Sequence, residues 1–207
     1  LEKTNTMHVA PHGTWVNFDI ADDYNSAVMN VAVEVKNDGS EMAEYSIVNR
    51  LIDAEGNEVA CATTKCGRLL PKASCETTQH IAISSPRLWD LESPYLYCVK
   101  SEVVNNRGVV IDEYFTTTGI RKAEFDPEKG FLLNGKVVKL KGTNMHLDHA
   151  GVGTAVREEL WAYRVARLKS FGCNAIRSSH NPASVAMLEV CDREGMLVID
   201  ENRPMGV

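Results

Sequence analysis

The chain has 207 residues, 44% of them hydrophobic and 24% charged, with a net charge of −6 from 22 basic and 28 acidic side chains. That is enough for one large or two ordinary domains with a buried core. The acidic balance gives no surface for nucleic acid or anionic membrane, and no apolar run approaches the ~20 residues that span a bilayer.

The chain opens "LEKTNTMHVA", neither a secretory signal nor a methionine start. This points to a piece of a longer protein and leaves its compartment unread. Residues 1–118 read as β-structure. "TWVNFDI" sets Trp15, Asn17 and Asp19 against Val16, Phe18 and Ile20, and "VMNVAVEVKN" puts Val31, Val33 and Val35 on one face, the period-2 alternation of half-buried strands. Turn chemistry follows at Asn37-Asp38-Gly39, at Glu55-Gly56-Asn57 and from Asn105 to Gly108. With "YSIVNRLID", "ETTQHIAI", "YLYCVKSEVV" and "VVIDEYFTTTG", the pattern predicts an antiparallel β-sandwich of seven or so short strands. "SPRLWDLESPYLY" breaks it with Pro86 and Pro94, and is expected to be a loop packing Trp89 onto the sandwich edge. The six cysteines (61, 66, 75, 98, 173 and 191) include no Cys-x-x-Cys pair, which removes zinc spacing and predicts free, mostly buried thiols.

From 119 to 207 the grammar changes. "FLLNGKVVKLKGTNMH" predicts a hairpin at Asn134-Gly135 and then a strand running into Gly142. "REELWAYRVARLKSFG" spaces Trp161, Val165 and Leu168 at i, i+4 and i+7 ahead of Gly172, an amphipathic helix with a glycine stop. "NAIRSSH" is a strand, Asn181 and Pro182 are expected to open the next helix, Gly195 to close it, and "MLVIDEN" to be a last strand. Strand, helix, strand, helix, strand is two βαβ units sharing a strand, hence a parallel sheet.

In parallel α/β sheets chemistry collects at the C-terminal strand ends. Here those ends carry Asn144, His146, Asp148 and His149; Arg177, Ser178, Ser179 and His180; and Asp200, Glu201 and Asn202. Three polar ends on apolar strands predict one active-site rim. Each residue also has a plainer reading: Asp148 and His149 as a solvated loop, Asp200 as a strand tie. Ser178 and Ser179 lack flanking glycines and so form no nucleophile elbow. The His-Leu-Asp-His run 146–149 suggests a metal cluster, but its spacing at a strand end implies no third ligand.

Together, "GFLLNGKVVKLKGTNMHLDH", "RLKSFGCNAIRSSHNP" and "CDREGMLVIDEN" resemble glycoside hydrolase family 2, the β-galactosidases, β-glucuronidases and β-mannosidases. The β-rich part ending "FTTTGIRKAEFD" is similar to that family's immunoglobulin-like sandwich, which leads into a catalytic (β/α)8 barrel. The resemblance implies mainly β plus α/β architecture: a sandwich over 1–118 and the first three strands and two helices of a barrel over 119–207. It implies that His146 and His180 contact sugar, that Arg177 supports the nucleophile carboxylate, and that Asn144, Asp200 and Glu201 stand behind them. Asn181 departs from the aromatic usual between His and Pro.

The activity implied is retaining exo-hydrolysis of terminal β-glycosidic bonds, most of all β-galactosides, with two glutamates roughly 5 Å apart. Both lie beyond the third barrel strand, so the 207 residues alone are expected to be inactive. A β-glucuronidase or β-mannosidase of the same family is one alternative, and a non-catalytic carbohydrate-binding or interaction module is the alternative from another class. The partner implied is a β-glycoside, with neither nucleic acid nor membrane. No cofactor follows from the chain, a divalent or monovalent cation stays open for a full-length enzyme, and so does a homo-oligomer, because a part-barrel exposes apolar faces.

Overall fold

The structure is a computed structural model that describes residues 3–202. Two compact units emerge: one holds the described residues of Leu1–Arg87 and Tyr97–Ile120, the other those of Leu88–Leu96 and Arg121–Val207.

The first unit is antiparallel β. Strands β1 (Met7–Ile20), β2 (Ser26–Asn37) and β5 (Ser74–Ser84) form one sheet in the order β1-β2-β5. Strands β3 (Ala43–Ile52), β4 (Glu58–Leu69), β6 (Tyr97–Asn105) and β7 (Val110–Thr118) form the other, in the order β4-β3-β6-β7. Alternate residues are buried on each: Met29, Val31, Val33 and Val35 on β2, Ile47 and Leu51 on β3, Val99 and Val103 on β6. Two apolar faces meet, with polar residues outward on the intervening positions. At 9–14 residues these strands are longer than expected.

Two expectations fail here. Strand β4 gave no sequence signal, because "EVACATTKCGRL" lines a sheet edge and only one of its residues, Leu69, is buried. The cysteines are all free, but they are not mostly buried: Cys61 and Cys75 are exposed and only Cys191 is buried. Cys61 stands on that edge strand and Cys75 on the edge strand β5.

The second unit begins with β8 (Ala123–Asp126), β9 (Gly130–Leu133) and β10 (Lys136–Val137). The β9–β10 turn is Asn134-Gly135, both at positive φ (50° and 74°), the left-handed pair of a tight hairpin. The strand expected to run on into Gly142 stops at Val137, and a new one, β11 (Gly142–Met145), begins at the glycine. Gly142 has to be glycine: a Cβ there would lie 2.0 Å from the Ala175 carbonyl oxygen. Strands β11, β12 (Ala175–Ser178) and β13 (Leu197–Ile199) pair in parallel in that order.

Helix α1 (Glu158–Ser170) connects β11 to β12. It ends with Gly172 at φ +81°, the Cys173 N–H on the Leu168 carbonyl and the Gly172 N–H on that of Lys169, a Schellman stop. Helix α2 (Val185–Glu194) connects β12 to β13 and closes on Gly195. Its N-cap is Ser184, whose hydroxyl accepts the Met187 N–H, and not Asn181. The Ala183 N–H is bound instead by Asp200 Oδ1 at 2.7 Å, so residues 181–183 belong to the strand-end loop.

Trp161, Val165, Ile176, Met187, Val190 and Cys191 bury the helices against one side of this sheet. The other side is covered at its base by Trp89, with Leu133, Ala175 and Leu197. Trp89 therefore does not pack on the sandwich edge. It is fully buried in the second unit, its indole N–H donating to the Asp192 carbonyl at 2.6 Å and the Arg121 guanidinium lying 4.3 Å from its ring centre. The two prolines exclude residues 88–96 from strand pairing, which frees this apolar segment to fill the base of the parallel sheet. Among the described residues, no helix is long and apolar enough to cross a membrane.

Candidate functional site

Alternation sorts the strand-end residues before any contact is considered. Ala175 packs away from the helices and Ile176 toward them, so Arg177 falls on the side away and Ser178 on the helix side. Register places Asn144 opposite Arg177 on β11 and Ile199 opposite it on β13. Glu201, two residues beyond Ile199, continues that row, while Asp200 falls with Ser178.

Contacts follow this division. The Arg177 guanidinium donates to Asn144 Oδ1 at 3.2 Å and pairs with the Glu201 carboxylate. Glu201 Oε2 accepts the His180 N–H at 2.7 Å and lies 3.9 Å from His180 Nδ1. His180 has φ +66°, a left-handed conformation uncommon for a non-glycine residue, and the Glu201 contact holds it there. The rings of His146 and His180 stand 5.6 Å apart at 47°. His146, Asp148, Thr154, Asn181 and Pro182 line an open depression of about 640 Å³ beside them.

On the helix side Ser178 is fully buried, donates to Asp200 Oδ1 at 2.6 Å and accepts the Glu201 N–H at 3.1 Å. With the Ala183 contact, this ties the third strand end to the loop after the second. Ser178, set aside as a nucleophile, is thus the hub of the rim. The signal that could have found it is its register, one residue past Arg177 and on the opposite side of the strand.

Charge is fixed by the same contacts. Burial opposes ionisation of Asp200, but the Ser178 hydroxyl and the Ala183 and Glu201 N–H groups outweigh it and hold the carboxyl below its ordinary range. Glu201 is held low chiefly by the His180 N–H, then by Arg177. Both acids are thus carboxylates at neutral pH. Paired with a carboxylate and forked for bidentate contact, Arg177 is a fixed positive charge of the kind that orients acidic groups and sugar hydroxyls.

Of the expected rim members, Asp148 lines the depression and His149 lies elsewhere. His149 forms a tight loop with Gly153, and its Nδ1 meets Arg164 Nη2 of α1 at 2.6 Å, the same guanidinium that donates to the Asp148 carbonyl. Among the described residues no three His, Cys, Asp or Glu side chains group as metal donors.

The likeness to known proteins covers both units. The family model described as "Glycosyl hydrolases family 2" matches residues 7–121, and that described as "Glycosyl hydrolases family 2, TIM barrel domain" matches 126–207. A β-galactosidase of Bacteroides ovatus, BoGH2A, is 38% identical over 97% of the chain, and a β-glucuronidase of Bacteroides fragilis is 32% identical over 84%. The crystal structure of a family 2 member from Bacteroides cellulosilyticus superposes with TM-score 0.88 at 35% identity over 96% of the chain. That of the Bacteroides uniformis β-glucuronidase superposes with TM-score 0.85 at 28% identity over 94%. The chain spans only 23–27% of the length of these relatives. On the match of both family models, the chain belongs to glycosyl hydrolase family 2.

Proposed function

We propose that these 207 residues are part of a retaining exo-β-glycosidase that removes terminal β-galactosyl groups in carbohydrate breakdown. In this reading the first unit is the immunoglobulin-like sandwich, covering residues to about 118. The second is the opening of the catalytic barrel, with its first three strands and two helices. His146 and His180 contact sugar hydroxyls, and Arg177 orients the nucleophile carboxylate. Asn144 and Glu201 hold Arg177 and His180 in place, and Asp200 anchors the loop that carries His180. The observation carrying this is the cluster of Asn144, Arg177 and Glu201 beside the His146–His180 pair, at one end of a parallel sheet.

The acid/base and nucleophile glutamates that family chemistry requires lie outside residues 1–207 in this reading, so this chain alone does not turn over substrate. A β-glucuronidase is the second reading, because relatives of both names match the chain. A uronate needs a cation of its own, whereas Arg177 is engaged by Glu201. That balance favours a neutral sugar.

The test is to assay the full-length protein on nitrophenyl β-galactoside, β-glucuronide and β-mannoside in parallel, with the 207-residue chain alongside. Turnover of the galactoside by the full-length protein only is expected. Turnover of none of the three overturns the glycosidase reading, and preference for the glucuronide overturns the sugar assignment.

A further inference from the structure

The outer face of the β1-β2-β5 sheet carries a second polar constellation, within the sandwich unit alone. The inward residues of β2 and β5 (Met29, Val31, Ile81, Ile83) are buried, which puts the intervening positions outside. In register across the three strands stand Asn17, Asn30 and His80, and in the next row Trp15, Ala32 and Thr78. Asn30 Nδ2 donates to Asn17 Oδ1 at 2.8 Å and to Asp19 Oδ2 at 2.8 Å, and His80 Nδ1 meets Asn30 Oδ1 at 2.6 Å. Four planar polar groups are thus locked to one another before any ligand arrives, so binding orders few rotamers. The network leaves unused the amide donors of Asn17, one carboxylate oxygen of Asp19 and Nε2 of His80.

Beside it, Trp15 is 59% exposed, a large apolar surface for a sheet face turned to water. Ala32, directly across from Trp15 on the same face, is only 9% exposed. Trp15 thus stands on the same face as the polar row, one row along from Asn17. Trp15 and Asn17 are two residues apart, about 7 Å along a strand. That is about the reach from the centre of a stacked ring, through a hydroxyl, to its hydrogen-bond partner.

We propose that this face binds a neutral oligosaccharide. A pyranose ring offers a C–H face that packs on the electron-rich face of an indole, and an edge of adjacent hydroxyls that pair with amide, carboxylate and imidazole. The two rows carry no lysine or arginine, and Asp19 is beside them, so uronate or sulfated chains are disfavoured. The site rests on the sandwich unit and needs nothing from the glycosidase reading.

The test is calorimetric titration of the 207-residue chain with β-1,4-galactotetraose, cellotetraose and xylotetraose, with trigalacturonate as the charged comparison. Binding of at least one neutral tetraose is expected. Trp15→Ala should weaken it at least tenfold, Trp15→Phe should restore part of the loss, and Asn30→Ala should weaken it about fivefold. Arg177→Ala, which alters only the rim, should leave it unchanged, so loss of this site and loss of the rim are separable. All four variants replace residues that are not fully buried, and unchanged melting confirms that each is folded. Failure of all three neutral tetraoses to bind overturns the proposal. So does wild-type affinity in Trp15→Ala, and so does tighter binding of trigalacturonate.

Discussion

Two polar networks, one in each unit, are built from the same kinds of residue and are opposite in character. In the sandwich, Asn49 donates to Gln79 Oε1 at 2.9 Å and accepts from Ser101 Oγ at 2.5 Å. Gln79 donates onward to Thr64 Oγ1 at 2.9 Å. Asn49 and Ser101 are fully buried and Gln79 is 5% exposed; the two Gln79 bonds run between the sheets and the Asn49–Ser101 bond lies within one of them. At the parallel-sheet rim, Arg177, Glu201 and His180 are linked as tightly, yet their side chains are 37%, 26% and 72% exposed. A closed, dry network fixes how two layers fit together, whereas an open one keeps donors and acceptors for something else. Polarity in itself identifies neither; what distinguishes them is whether the bonding capacity is used up.

The sharpest way to break this comparison is to remove the centre of the closed network. Asn49→Ala leaves the Gln79 oxygen and the Ser101 hydroxyl buried without partners, and should cost about 2–5 kcal/mol. At about 2–4 °C per kcal/mol for a chain of this size, calorimetry should show Tm falling by roughly 4–20 °C. A loss of only a few tenths of a degree would mean that water or a neighbour takes over those bonds.

The open network should respond in the opposite way. Arg177→Ala removes a partly exposed charge whose loss the remaining groups can meet with water, so Tm should move little. In the full-length protein it should lower kcat/KM about 100-fold, some 2.7 kcal/mol of transition-state stabilisation. A large fall in Tm without a kinetic effect would make the rim a structural network like the first. Between these extremes lies Ser178→Ala, since Ser178 is buried but serves the rim. It should cost about 1–2 kcal/mol of stability and raise KM more than it lowers kcat, because the loop carrying His180 loses its tie to Asp200.

The difference between the networks also marks what could be read from the sequence. The order of elements after residue 119 was legible because apolar periodicity changes from 2 to 3.6 and back, with glycines at 172 and 195 closing each helix. Convergence of Asn144, Arg177, His180, Asp200 and Glu201 followed from parallel strands alone. What escaped was decided by contacts distant in sequence. Trp89 is 103 residues from the carbonyl it binds, and nothing local distinguishes a loop that covers its own sheet from one that covers another layer. Strand β4 escaped because an edge strand with one buried residue has no alternation to read. The N-cap moved from Asn181 to Ser184 because Asp200 competes for the intervening backbone.

The smallest effect expected is the response to acid, and it tests whether the rim acids contribute to stability at all. Asp200 and Glu201 are both held below the ordinary carboxylate range. The folded state therefore favours the ionised form, and the contribution is fully present above about pH 4, the range of unfolded carboxylates. It is lost as pH falls through the lower, folded values. Both groups are partly exposed, which keeps the effect modest and dependent on salt. Urea midpoints measured between pH 7 and pH 3 should fall at the acid end. In Asp200→Asn the fall should be shallower, because the amide keeps the Ser178 and Ala183 contacts through its oxygen but has no proton to take up. If the variant tracks the wild type throughout, the hydrogen bonds on Asp200 position the loop without linking its stability to pH, and the rim is held by Glu201 and Arg177 instead.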